Sequence, residues 1–182
     1  MLHQLKIERP LMKDIEAIHQ VFEQSITNAF EKEGLGEQKD GILSEIEDKK
    51  QLLNLALNAE DNRVHFWIAR IGEEVVGTIS FRPCSDLIKE LTENQIKDVG
   101  ELGTLYILPA YQGKGIASAL IHTLIDFLHE NGIRQFCLDS GYREAQKRWT
   151  RKFGTPYKIV EKYWGENNDH MIWLCDVKDF VG

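Results

Sequence analysis

The residues whose types and spacing could do chemistry gather around one short segment. Pro109-Ala110-Tyr111-Gln112-Gly113-Lys114-Gly115-Ile116-Ala117 lies between a strand-like run, Gly-Glu-Leu-Gly-Thr-Leu-Tyr-Ile-Leu (100–108), and an apolar-periodic helix. Two glycines at the start of a helix let an anion approach backbone N–H groups that have no acceptor inside the helix, and the helix dipole favours negative charge at the same place. A phosphate-bearing ligand is the natural occupant, although a bare Gly-x-Gly also suits a turn that merely enters a helix. A Walker loop is excluded, because no stretch supplies Gly-x-x-x-x-Gly-Lys-Ser/Thr. A dinucleotide fingerprint would use Gly113, Gly115 and Ser118, with Asp139 ending the next strand. Against it, the third position is Ser, and the 69 residues after Gly113 are too few for the rest of a doubly wound domain. His122, Asp126 and His129 share one helical face at a spacing that can hold a metal. Such a trio is more often a solvated face, and no metal is expected.

The elements that must position this segment follow from periodicity. Residues 3–9 alternate weakly and stop at Pro10, as a short edge strand would. From Leu11 to Phe30 the apolar residues Ile15, Ile18, Val21, Phe22, Ile26 and Phe30 recur at helical spacing, closed by Gly34 and Gly36. Residues 42–57 suggest one or two further helical pieces before a polar break at 60–63. Runs 65–71 and 75–81 form a hairpin around Gly-Glu-Glu, whereas 84–99 is polar and has no assignment. Strand 100–108 precedes a helix from about 114 to 130 that stops at Asn131-Gly132. Strand 134–140, a short basic helix 143–153 and strands 157–164 and 170–177 complete a mixed α/β order without repeats or a linker-like break. One domain over 1–182 is expected.

Composition narrows the partners. The net charge of −7 repels nucleic-acid phosphates and anionic lipid headgroups, so neither is expected as a partner. No window approaches the roughly 18 apolar residues of a membrane span, and Met-Leu-His-Gln-Leu-Lys at the start lacks a signal-peptide core, so a cytoplasmic location is expected. Cys84, Cys137 and Cys175 are far apart and form no Cys-x-x-Cys pair, which suits reduced core thiols.

Gln112-Gly113-Lys114-Gly115-Ile116-Ala117, preceded by Leu105-Tyr106-Ile107-Leu108-Pro109, resembles the GNAT superfamily of acyl-CoA-dependent N-acetyltransferases. That superfamily carries Gln or Arg, two residues, Gly, one residue, then Gly or Ala. The element order resembles its fold over nearly the whole chain. The resemblance implies a mixed, mostly antiparallel sheet of about seven strands flanked by about four helices. It implies acetyl-CoA as the acyl donor, with its pyrophosphate on the backbone N–H groups from about Gly113 through Lys114, Gly115, Ile116 and Ala117 to Ser118, and Gln112 as a further CoA-binding position. Tyr106, Ile107 and Leu108 would pair their backbone with the pantetheine arm, and a homodimer is the oligomeric form it suggests.

Acetyl transfer needs a neutral amine to attack a thioester through a tetrahedral oxyanion. An alkylamine of pKa about 10.4 costs roughly 4.6 kcal/mol to deprotonate at pH 7. Glu101 falls where many members place the base, acting directly or through water. The tyrosine that members use to protonate the departing thiolate has no counterpart: the stretch from Ala145 to Gly154 is one residue longer than the family pattern, which puts Trp149 or Thr150 at that position. Neither is a proton donor of use. Tyr142 is the first substitute, ahead of Tyr157 and Tyr163, and Trp149 would wall the CoA arm. Residues 14–61 carry net −8 and residues 143–162 net +5. The acidic half suits a cationic small-molecule or peptide amine, and Arg148, Arg151 or Lys152 a CoA phosphate. The leading expectation is an acetyl-CoA-dependent N-acetyltransferase. The missing acid leaves open a catalytically weak acyl-CoA-binding sensor, or a transferase of another acyl group.

Overall fold

Apolar residues three and four apart wind the first long helix close to where the spacing predicts it. α1 (Ile15–Lys32) buries Ile18, Val21, Phe22, Ile26 and Phe30. It begins four residues later than the periodicity alone suggests, because Leu11 starts a separate turn, its N–H donating to Asp14 Oδ2 at 2.9 Å. The computed structural model describes residues 4–58 and 61–182. His3 and Glu60, expected in the first strand and in the polar break, lie outside the described residues.

The remaining elements are β1 (Leu5–Glu8), α2 (Lys39–Leu57), β2 (His65–Ile71), β3 (Glu74–Arg82), α3 (Asp86–Leu91), β4 (Glu101–Ile107), α4 (Ile116–Glu130), β5 (Gln135–Ser140), α5 (Arg143–Phe153), β6 (Lys158–Val160) and β7 (His170–Asp176). The strands make a seven-stranded mixed sheet in the order β1-β2-β3-β4-β5-β7-β6, as the resemblance implies. Residues 39–57 form one helix, not two. α3 has no clear sequence signal, and β6 is shorter than the expected 157–164. Positive φ angles at Lys162 (57°), Gly165 (124°) and Asn167 (64°) turn the chain there instead of extending it.

The chain divides into two compact units, Met1–Phe81 with Thr104–Asp126, and Arg82–Gly103 with Phe127–Gly182. In the first, β1, β2 and β3 pair antiparallel, and Gly72 with a φ of 60° makes the tight turn between Ile71 and Glu74. Its core takes Ile18, Val21, Phe22, Ile26, Leu53, Ile68, Val76, Ile79, Leu120 and Leu124, all fully buried. Each contributes about 1.5–3 kcal/mol by leaving water. Arg70 ties β1 to the turn before α1, donating to Glu8 at 2.7 Å and to Asp14 at 2.8 Å.

In the second unit β5 pairs antiparallel with β7, and β6 lies on β7's other edge. Glu101 at the start of β4 sits opposite Cys137 in parallel register. Phe136, Cys137, Leu138, Ile172 and Trp173 are buried. Residues 84–99 fold because Cys84, Ile88 and Ile96 pack on Cys137 and Ile172. That cluster gives α3 its place despite a polar sequence. The three cysteines are buried and free.

Candidate acyl-donor and proton-transfer site

Strand β4 ends at Ile107, and a short turn over Pro109–Tyr111 carries the chain to Gln112. Gln112 is anchored twice, its Nε2 donating to Ile107 O at 3.2 Å and its Oε1 accepting from Lys32 Nζ at 3.0 Å. Gly113 (φ 74°) and Gly115 (φ 85°) then take the left-handed side of the map, where other residues are strained, and a Cβ at either would meet nothing within 4 Å. Open space around two such glycines leaves the backbone accessible. Ala119 N–H already bonds Gly115 O, so the free donors of α4's first turn are those of Ile116, Ala117 and Ser118. Gln112, Gly113, Lys114, Gly115 and Ser118 are exposed, Ala117 is half-buried, and Ile116 is buried as the anchor of the helix. The geometry suits an anion held by backbone dipoles.

Upstream on β4, Leu108 N–H bonds Val76 O at 2.9 Å, and Ile107 O also accepts from Ser25 at 3.1 Å. The Tyr106 hydroxyl donates to Glu45 on α2 at 3.1 Å, and its ring stands edge-on to Phe22. Beside this end of the strand, an open cavity of about 500 Å³ is lined by Gln20, Gln24, Glu73, Glu74, Leu108 and Tyr111. Its polar lining is neutral or acidic, which favours a cation over a phosphate.

The second unit holds the titratable cluster. Glu101 is 8% exposed, and its Oε1 accepts from the Ser85 N–H at 2.9 Å. Burial pushes its carboxyl above the usual carboxylate range, and the Asp139 charge pushes it further the same way. Asp139 in turn accepts from His170 Nε2 at 2.8 Å. An indole N–H can only donate, so the 3.0 Å contact from Trp164 Nε1 makes His170 Nδ1 an acceptor and puts the imidazole proton on Nε2, facing Asp139. Gly141 makes room for this arrangement, since a Cβ there would stand 2.6 Å from Trp164 Nε1. Asp139, His170 and Trp164 were not singled out for this role by sequence reasoning. Asp139 and His170 lie 31 residues apart along the chain and are brought together by the pairing of β5 with β7, while Trp164 reaches His170 from the turn six residues before it.

Tyr142 caps the start of α5, half-buried, its N–H on Ser140 Oγ at 3.1 Å. Gln146 fastens that helix start, donating to Ser140 O at 2.8 Å and Asp169 O at 2.9 Å. Trp149 packs on Phe153 with Arg148 above its ring at 5.7 Å, and Lys152 is half-buried. The Thr150 hydroxyl is committed to Gln146 O at 2.8 Å. Tyr157 donates to Gln95 at 2.9 Å, and Tyr163 stacks edge-on against Trp164. His122, Asp126 and His129 are exposed on α4. Of the residues expected at a site, Tyr106, Ile107, Leu108 and Gln112 to Ser118 fall in the first unit, whereas Glu101, Tyr142, Trp149 and Lys152 fall in the second.

A β4 strand running into a glycine turn and a helix with open backbone donors, set in this seven-strand order, defines an acetyltransferase fold. Residues 26–155 match the acetyltransferase (GNAT) family model, and the chain belongs to that family. A mouse relative, N-acetyltransferase 8, is 34% identical over 113 residues, 62% of this chain and 45% of that protein, so the match spans less than half of the relative's length. Among solved structures, the fold superposes on the PaiA N-acetyltransferase of Thermoplasma acidophilum in complex with coenzyme A at a TM-score of 0.68, with 19% identity over 94% of this chain and 98% of that one. It also superposes on a chimera of the Vibrio cholerae spermidine N-acetyltransferase at 0.65, with 14% identity over 97% and 98%. No helix among the described residues is long and apolar enough to cross a membrane.

Proposed function

We propose that this protein transfers an acetyl group from acetyl-CoA to a primary amine. The observation that carries this reading is the exposed turn of Gln112 to Gly115 leading into α4, where two glycines at positive φ open the helix's first-turn N–H groups to a pyrophosphate. Tyr106, Ile107 and Leu108 would lie along the pantetheine arm, with Trp149 and Lys152 as further CoA contacts. The amine nitrogen attacks the thioester carbonyl, the C–N bond forms, and collapse of the tetrahedral oxyanion breaks the C–S bond. The amine's proton passes to Glu101 through water, because its carboxylate is too buried to reach a bulky substrate directly. A carboxyl raised by burial and by Asp139 is a stronger base than an ordinary glutamate, as that task requires. Tyr142 is assigned to the leaving thiolate.

The acidic segment 14–61, with net charge −8, supports a cationic acceptor such as a polyamine or a lysine-like side chain. One protein of the same fold, the spermidine N-acetyltransferase chimera, is named for a polyamine acceptor. A cytoplasmic setting, where acetyl-CoA is available and thiols stay reduced, belongs to the same reading. One observation favours a second reading, an acyl-CoA sensor with little turnover: of the two residues that the family pattern aligns with the thiolate's acid, Trp149 is no acid and the Thr150 hydroxyl is committed to Gln146 O. Thermal melting with millimolar acetyl-CoA tests both, and no upward shift would reject them together. An amine panel followed by thiol release separates them: release on at least one cationic amine is expected of the enzyme, and binding without release on any amine of the sensor.

A further inference from the structure

Five non-glycine residues among those described have positive φ: Glu93, Asn94, Thr104, Lys162 and Asn167. Four are exposed in turns. Thr104 differs, being 5% exposed, inside β4, and β-branched, with a φ of 51°. A β-branched residue rarely adopts that conformation, and it persists only where its surroundings enforce it.

The enforcing groups are two hydroxyls of the neighbouring strand. Thr78 Oγ1 donates to Thr104 O at 2.7 Å, and Ser80 Oγ donates to Thr104 Oγ1 at 2.8 Å. Thr78 and Ser80 are both fully buried and, two residues apart, share one face of β3, while Ile79 and Phe81 are buried on the other. Either hydroxyl would be costly to bury without its partner on Thr104. Gly77 draws the strands close at the adjoining point, since a Cβ there would stand 2.8 Å from Ile107 Cδ1 and 3.1 Å from Tyr106 O. The strand side chains alternate with a period of two, so a left-handed residue at 104 resets the direction of the peptide groups of Leu105, Tyr106, Ile107 and Leu108.

We propose that Thr78 and Ser80 are positioning residues: a hydroxyl clamp that locks Thr104 in its left-handed turn and thereby aims the backbone of Leu105 to Leu108 at the acyl-CoA arm. The aim of the clamp rests on the acyl-CoA reading above, while the lock itself does not.

The test compares Thr78→Val, Thr78→Ser, Ser80→Ala and the double variant Thr78→Val with Thr104→Gly, by calorimetric affinity for acetyl-CoA and by crystallography of the unliganded proteins. Thr78→Val should weaken acetyl-CoA binding at least tenfold and let Thr104 relax to negative φ, with Ser80→Ala doing the same to a smaller degree. Thr78→Ser keeps the hydroxyl and should stay within about threefold of the unsubstituted protein. The double variant should regain affinity, because glycine adopts positive φ without being held; a merely destabilising loss of the Thr78 hydroxyl would not be repaired by glycine at 104. The clamp is overturned if Thr78→Val binds acetyl-CoA as the unsubstituted protein does, if its Thr104 keeps φ near 50°, or if the double variant is no better than the single one. Failure of the acyl-CoA reading looks different: the unsubstituted protein then binds no acetyl-CoA, and the aim falls with it.

Discussion

The glycine turn of residues 112–118 and the Glu101–Asp139–His170–Trp164 cluster are built in opposite ways. The turn is local: its geometry comes from Gly113 and Gly115 and from the helix that follows, and its glycines touch nothing that would restrain them. The cluster is assembled from β4, β5, β7 and the loop before β7, and Glu101, Asp139 and His170 each have a partner 16 or more residues away, with Trp164 six residues from His170. A local site should lose its ligand without losing the fold. A site assembled from distant strands should lose stability, or proton transfer, without losing the ligand.

Substitutions in the two regions test that division. Glu101→Gln should lower turnover by about 10²–10⁴-fold, the range of a lost general base, with acetyl-CoA affinity by calorimetry unchanged; equal loss of both would merge the two regions. Gly115→Val should abolish the roughly 2.7 kcal/mol of stabilisation that a ligand at a hundred times its dissociation constant provides, with the urea midpoint of the free protein moving far less. His170→Ala strands Asp139 and the Trp164 indole, so about 2–3 kcal/mol of stability should go in urea unfolding while acetyl-CoA still binds.

The pH response comes next in size. Glu101 has its pKa raised by burial and by Asp139, so the folded protein keeps that proton at pH values where the unfolded chain has released it. Stability contributed this way is present below the ordinary glutamate range and declines as pH rises toward the raised value, by at most about 1.4 kcal/mol per unit. Glu101→Gln should therefore flatten the stability curve above about pH 4.5, read by denaturation at a series of pH values. The smallest change is Gly141→Ala, whose Cβ displaces an exposed indole; about 1 kcal/mol and a red-shifted tryptophan emission are expected.

The same contrast explains what was legible in the sequence. Helical spacing in α1 and α4, the hairpin of β2 and β3, and the Gln112–Ala117 motif are short-range signals; both helices and the hairpin form where that spacing puts them, apart from a start four residues late in α1. α3 was not legible, because its reason for folding is Ile88 packed on Cys137 and Ile172, contacts set by tertiary structure. β6 keeps three of its eight expected residues because the chain turns at Lys162, whose positive φ has no turn signature in the sequence. Glu101 could be suspected from its place in a family-like strand, but its partner Asp139 could not. Nothing in the sequence near Thr104 announces a left-handed residue in a strand, since Thr is a favoured strand former.

The burial of Cys84, Cys137 and Cys175 has a practical consequence. Burial drives all three thiols upward, Cys175 to about 12, so the folded chain offers almost no thiolate to a colorimetric disulfide reagent. Colour developed during catalysis would then count liberated cofactor alone. In the absence of substrate, the slow appearance of protein sulfhydryls would serve as a clock for how often this core opens.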